Sequence, residues 1–134
     1  MTSNVIYLGD LRTEATHMAS KNTFFTDAPM DNQGKGEAFS PTDTVATALA
    51  SCLLTVMGIK AQDLGVDLKQ TSAAVTKVMA SNPRRIAEIH VEVSFSKSFD
   101  LKTQTLLERA ALTCPVGYSL HPDLNQNISF NWPS

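Results

Sequence analysis

Cysteine is scarce in this chain: two among 134 residues, at positions 52 and 114. Two thiols are too few for a disulfide-stapled scaffold, and a chain of this size does not need one, since folded chains of about 150 residues bury roughly 68–70% of their unfolded surface. Charge of one sign is lacking as well. Eleven Lys and Arg stand against thirteen Asp and Glu, and the closest approach to a basic run is Arg84-Arg85, which excludes the electrostatic footprint of a nucleic-acid binder. The longest apolar stretch, Val45 to Ile59, is interrupted by Thr47, Ser51, Thr55 and Gly58. It falls short of the ~20 residues that span a bilayer, so no membrane partner is expected. Residues 1 to 7 lack a basic segment followed by an apolar core and a small-residue cleavage site, which makes the cytoplasm the expected compartment. There, two cysteines stay reduced or cycle. His17, His90 and His121 lie on separate segments without the close ligand spacing of zinc sites, and neither a metal nor a cofactor is expected. What remains is an ordinary globular composition, 43% apolar and 18% charged, read as one domain over residues 1–134.

Short β-prone runs at Val5 to Leu8, Arg12 to Ala19 and Thr23 to Thr26, separated by Gly9-Asp10 and Ser20-Lys21-Asn22, predict a meander. A polar loop follows from Asp27 to Pro41. Its Gly34-Lys35-Gly36 lacks the length and the hydroxyl residue of a phosphate-binding loop. A helix is predicted from about Thr42 to about Gly65, with Ser40 or Thr42 as cap, Pro41 at an early position and Asp43 complementing the dipole. Apolar residues surround almost its whole circumference over the first turns, which marks it as central. Two β-rich runs, Thr71 to Met79 and Arg85 to Phe95, meet at the turn Ser81 to Arg84. The second alternates, with Ala87, Ile89, Val91, Val93 and Phe95 on one face. Leu101 to Thr113 has helical spacing and must end by Cys114 because of Pro115; Ile128 to Trp132 reads as a last strand. This order indicates an α+β domain in which helices cover an antiparallel sheet.

Two thiols far apart in sequence can meet in the fold, and together they are the minimum for thiol redox chemistry. Cys52 lies in an apolar helix, where burial raises a thiol's pKa unless a cation or hydrogen bonds favour the thiolate. Taken alone it reads as inert core. Cys114 precedes Pro115, which suits the first position of a short helix, so electrostatics favour Cys114 as the more ionisable thiol. Cys114 is balanced between a helix-end residue and a redox partner. Arg12 alone reads as a solvated strand residue, Asp43 as a helix-dipole partner, and His121 as a loop residue before Pro122.

The segment Phe39-Ser40-Pro41-Thr42-Asp43 leading into Ala46-Thr47-Ala48-Leu49-Ala50-Ser51-Cys52, together with Cys114-Pro115-Val116, resembles the family of osmotically inducible protein C and the organic hydroperoxide resistance proteins (OsmC/Ohr). The element order agrees over essentially the full chain. The resemblance implies an OsmC-like fold, with sheets packed around paired central helices in an intertwined homodimer and the cysteines near the subunit interface. It also implies a peroxidase in which Cys52 attacks an organic hydroperoxide, Cys114 closes a disulfide on the resulting sulfenic acid, and an external dithiol reductant reopens it. Similar proteins activate the first cysteine with an arginine from the N-terminal strands, oriented by a glutamate ten residues before that cysteine. Here Arg12 is the N-terminal arginine, Thr42 stands at the glutamate position, and Asp43 is the nearest carboxylate, turned about 100° around the helix. Two other readings remain open. One is a non-catalytic dimeric binding protein with an apolar interface pocket; the other is acyl transfer by a cysteine with His121 or His90 as base, which requires a Cys–His contact.

Overall fold

A computed structural model describes residues 1–134. The chain forms two compact units, Met1–Val45 and Ala46–Ser134. In the first, β1 (Ser3–Gly9), β2 (Arg12–His17) and β3 (Thr23–Asp27) pair antiparallel in that order, the meander expected from the turn residues. Asp10 and Leu11 join β1 to β2 with φ of 53° and 62°, a two-residue turn with both central residues left-handed, which matches the twist of the strands it connects. Leucine is an unusual occupant of that region. Few residues of the sheet are buried. Ala15, Thr26 and Asp27 are, whereas Val5, Ile6, Tyr7, Leu8, Phe24 and Phe25 are all exposed. The following loop contains a 3-10 turn at Met30–Asn32 that the sequence reading did not anticipate. Gly34 is obligatory there, because a Cβ would collide with the Ala28 carbonyl.

Helix α1 (Pro41–Leu64) begins one residue before the expected start. Ser40 Oγ accepts the Asp43 N–H and Asp43 Oδ2 accepts the Ser40 N–H, each at 3.0 Å, a reciprocal cap that satisfies two orphan donors. Pro41 holds the first helical position, where a missing N–H costs nothing, and Gly65 at φ 70° lies just past the end. The body of the helix belongs to the second unit. Its buried stripe, Ala46, Leu49, Ala50, Leu53, Met57 and Ala61, recurs every three to four residues and packs with Ile89, Val91, Val93, Phe95, Ala111 and Cys114 into one core. Away from that stripe Cys52 is half-buried and Ile59 is exposed. The whole helix has 24 residues and a mean hydropathy of 1.6 over its most apolar window. That is longer than the apolar run suggested, and by length and composition alone it could cross a membrane. The core helix of a folded domain meets the same test, and the buried stripe gives α1 that role.

Strands β4 (Ser72–Ala80) and β5 (Arg85–Ser94) form the expected hairpin. Ile89, Val91, Val93 and Phe95 face the core as the alternation requires. Ala87 falls at a register shift between Val78 and Met79 of the partner strand, and Ile86 packs against the core in its vicinity. Helix α2 (Leu101–Ala111) is capped by Asp100, whose carboxylate accepts the Thr103 N–H at 2.8 Å. Helix α3 (Pro115–Ser119) follows, and β6 (Asn125–Asn131) completes the sheet. β6 runs parallel to β5, so the sheet is mixed and the wholly antiparallel expectation is corrected. The cause is the connection: β5 is followed by two helices, which carry the chain over the sheet and return it in the same direction. β6 also starts three residues earlier than the sequence suggested and releases Trp132, which stacks on Phe95 with ring centroids 3.5 Å apart and donates to Glu108 at 2.9 Å.

A candidate thiol site

Helix α1 and the start of α3 bring together the two cysteines that lie 62 residues apart in sequence. Cys52 packs against the core cluster that contains Cys114, near enough to influence its ionisation, and both are free thiols. Their settings differ. Cys52 is half-buried on α1, whereas Cys114 is only 2% exposed and belongs to the core.

Cys114 is the N-cap of α3, with Pro115 in the first helical turn as the sequence predicts. Its sulfur accepts the Gly117 N–H at 3.2 Å. The expected electrostatic advantage does not follow. Burial pushes the Cys114 thiol above its ordinary value, the Gly117 amide opposes this, the neighbouring Cys52 raises it further, and the Val116 amide lowers it slightly. Desolvation outweighs the helix-start amides because the thiolate would lose its water while gaining few donors. Cys114 is therefore the sheltered thiol of the pair, and Cys52 is the one with access to solvent.

Gly117 sits in a tight place, where an added side chain would push Gln126 aside. A Cβ there would lie 3.0 Å from Gln126 Oε1 and 3.6 Å from both Cys114 Sγ and a Leu49 methyl. Its carbonyl accepts the Gln126 Nε2–H at 2.9 Å. A cavity of about 240 Å³ opens at this point, lined by Leu53, Ala111, Leu112, Cys114, Tyr118 and Gln126 among others. Neither Gly117 nor Gln126 was singled out from the sequence, since a lone glutamine carries no motif.

In the N-terminal unit, Arg12 is not a loose surface cation. Its guanidinium grips Asp27 in two parallel bonds, Nε to Oδ1 at 2.7 Å and Nη2 to Oδ2 at 2.8 Å, with Glu37 3.7 Å from Nη2. Asp27 also accepts the Glu37 N–H at 3.1 Å. The Arg12 hydrogen bonds hold the Asp27 carboxyl below the usual carboxylate range, despite its burial. Sequence reasoning missed Asp27, although a signal existed: the tight turn after His17 places it directly across from Arg12 in the β2–β3 register. Asp43 is engaged in the reciprocal cap of α1, and Thr42 Oγ1 lies 3.2 Å from Ser40 Oγ. The histidines have other partners. His17 meets Ser20, His90 meets Glu88, and His121 accepts the Asp123 N–H, which leaves the acyl-transfer reading without its required contact.

The OsmC-like protein family matches residues 34–129. Among solved structures, a Psychrobacter arcticus 273-4 protein, provisionally described as an osmotic stress induced and detoxification response protein, is 56% identical. It has a TM-score of 0.94, and the match covers 97% of this chain and 95% of that one. An organic hydroperoxide resistance protein from Legionella pneumophila shares the fold at 14% identity, with a TM-score of 0.76 and coverage of 98% and 97%. A protein of the same description from Elizabethkingia anophelis, with thiocyanate bound, does so at 12% identity, a TM-score of 0.73 and coverage of 99% and 97%. No protein of curated function matches the sequence.

Proposed function

Since this chain belongs to the OsmC-like protein family, we propose that it reduces organic hydroperoxides with Cys52 as the attacking thiol and Cys114 as the resolving one. The observation that carries the reading is the proximity of two free thiols of unequal exposure. The description of the fold relatives from Legionella and Elizabethkingia as organic hydroperoxide resistance proteins supports the substrate class.

In the first step the Cys52 thiolate attacks the terminal peroxide oxygen. The S–O bond forms, the O–O bond breaks, and the alkoxide takes up a proton and leaves as the alcohol. Cys114 then attacks the Cys52 sulfur of the sulfenic acid. An S–S bond replaces the S–O bond, and the hydroxyl departs as water with the thiol proton. An external dithiol returns both thiols by exchange and is itself oxidised to a disulfide. The assignment of Arg12 as the activating cation comes from the resemblance alone; within its own unit Arg12 is held by Asp27. Asp43 is assigned to the α1 cap that positions the first turn. The protein is proposed to work as a homodimer, a reading supported by the apolar side chains that remain exposed on β1 and β3.

The test is intact mass after one equivalent of an alkyl hydroperoxide. Loss of two hydrogens per chain, abolished by Cys52→Ser, is the expected result. An unchanged mass would overturn the peroxidase reading in favour of a binding protein that keeps the fold without the chemistry.

A further inference from the structure

The hydrogen bonds around Cys114 extend one residue beyond the thiol, and that residue has no counterpart in the reaction described so far. Gln126 stands on β6, opposite Ile89 of the core strand β5. Its amide nitrogen donates to the Gly117 carbonyl at 2.9 Å, while the N–H of the same residue donates to Cys114 Sγ at 3.2 Å. Gly117 is thus held from both ends. The lack of a side chain at 117 lets the glutamine and the sulfur approach so closely. Gln126, Gly117 and Cys114 also share the wall of the 240 Å³ cavity.

From this geometry we infer that Gln126 is a positioning residue for the resolving thiol. It fixes the Gly117 N–H on the sulfur and so supports the negative charge that Cys114 must acquire when it attacks the sulfenic acid. A buried thiolate depends on such donors, because water is not there to replace them. Anchoring the carbonyl end of Gly117 keeps its amide end aimed and leaves the oxidation of Cys52 untouched. The inference rests on the two-cysteine reading for its catalytic consequence, but the link between Gln126 and the reactivity of Cys114 stands without it.

The variants are Gln126→Met, which keeps the length and removes the donor, and Gln126→Glu, which keeps the shape and lacks the donor when ionised. In a Cys52→Ser background, the pH dependence of Cys114 modification by methyl methanethiosulfonate reads the resolving thiol alone. Both variants should raise its apparent pKa by about half a unit and slow modification about threefold at neutral pH. In the protein with both cysteines, dimedone should trap more Cys52 sulfenic acid, since disulfide closure slows by a similar factor while Cys52 oxidises at the wild-type rate. For Gln126→Glu the deficit relative to wild type should shrink as the pH falls and the carboxyl regains a proton to donate. Unchanged Cys114 reactivity in both variants would overturn the inference. So would equal slowing of both steps, which signals general loosening. A wild-type protein that forms no sulfenic acid sinks the peroxidase reading and leaves the Cys114 modification arm to decide the role of Gln126.

Discussion

The two units of this chain solve the burial problem in opposite ways. The second, Ala46–Ser134, has a core of fully buried Leu49, Leu53, Met57, Ile89, Val91, Val93 and Leu107. The first, Met1–Val45, contributes to the buried set only Ala15, Thr26, Asp27 and Ser40, three of them polar, and leaves its large apolar side chains exposed. One unit is held by packing. The other is held by strand pairing, by the Arg12–Asp27 clamp and by the Ser40–Asp43 cap. The contrast teaches that the residues which define the core and the large apolar residues left exposed are separated along the sequence, with the thiols on the packed side.

The sharpest way to break this comparison is truncation inside the packed unit. Leu53→Ala should cost about 2–5 kcal/mol in urea unfolding, as buried Leu→Ala changes do. A loss under 1 kcal/mol would mean that the core is not where stability resides. Next comes the cap: Ser40→Ala should cost about 1 kcal/mol, because it leaves the Asp43 N–H without its partner. The exposed apolar residues of the first unit should behave differently. Tyr7→Ser or Phe24→Ser is expected to weaken self-association in light scattering while leaving the far-ultraviolet spectrum of the chain unaltered. Association that survives both changes would remove these strands from the proposed homodimer interface.

The smallest effect is electrostatic and falls on the acid side. The Asp27 carboxyl is held below 3.8, first by the Arg12 hydrogen bonds. A group whose folded value is depressed contributes stability that is complete above its unfolded value and disappears as the pH falls through the folded one. Asp27→Asn should therefore flatten the acid limb of the stability curve below about pH 4. An identical acid limb in that variant would show that the clamp adds nothing to stability.

Much of the architecture was legible because local signals agreed with each other. Ser40-Pro41 announced the start of α1, Pro115 ended the preceding helix, and the alternation from Ile89 to Phe95 marked one buried face. A two-residue period states which face is buried but carries no direction, so the parallel return of β6 could not be read from Ile128 or its neighbours. The thiol pair was foreseen only through the resemblance, since no local pattern links Cys52 to Cys114. Helix-start logic correctly placed Cys114 at the N-cap and still misjudged its acidity, because desolvation depends on surroundings supplied by Leu49, Ala111 and other distant residues. Arg12 was visible, while its grip on Asp27 required the register of β2 against β3.

The unequal exposure of the two sulfurs also decides where chemical wear accumulates. An oxidant in lasting excess meets the half-open Cys52 long before it meets the 2% exposed Cys114. Under the proposed reaction, irreversible sulfinic and sulfonic products form when a further oxidant molecule outruns disulfide closure, and they should mark α1 alone. A worn-out molecule would carry extra oxygen on one cysteine and an intact thiol on the other, a signature by which aged protein can be told from fresh.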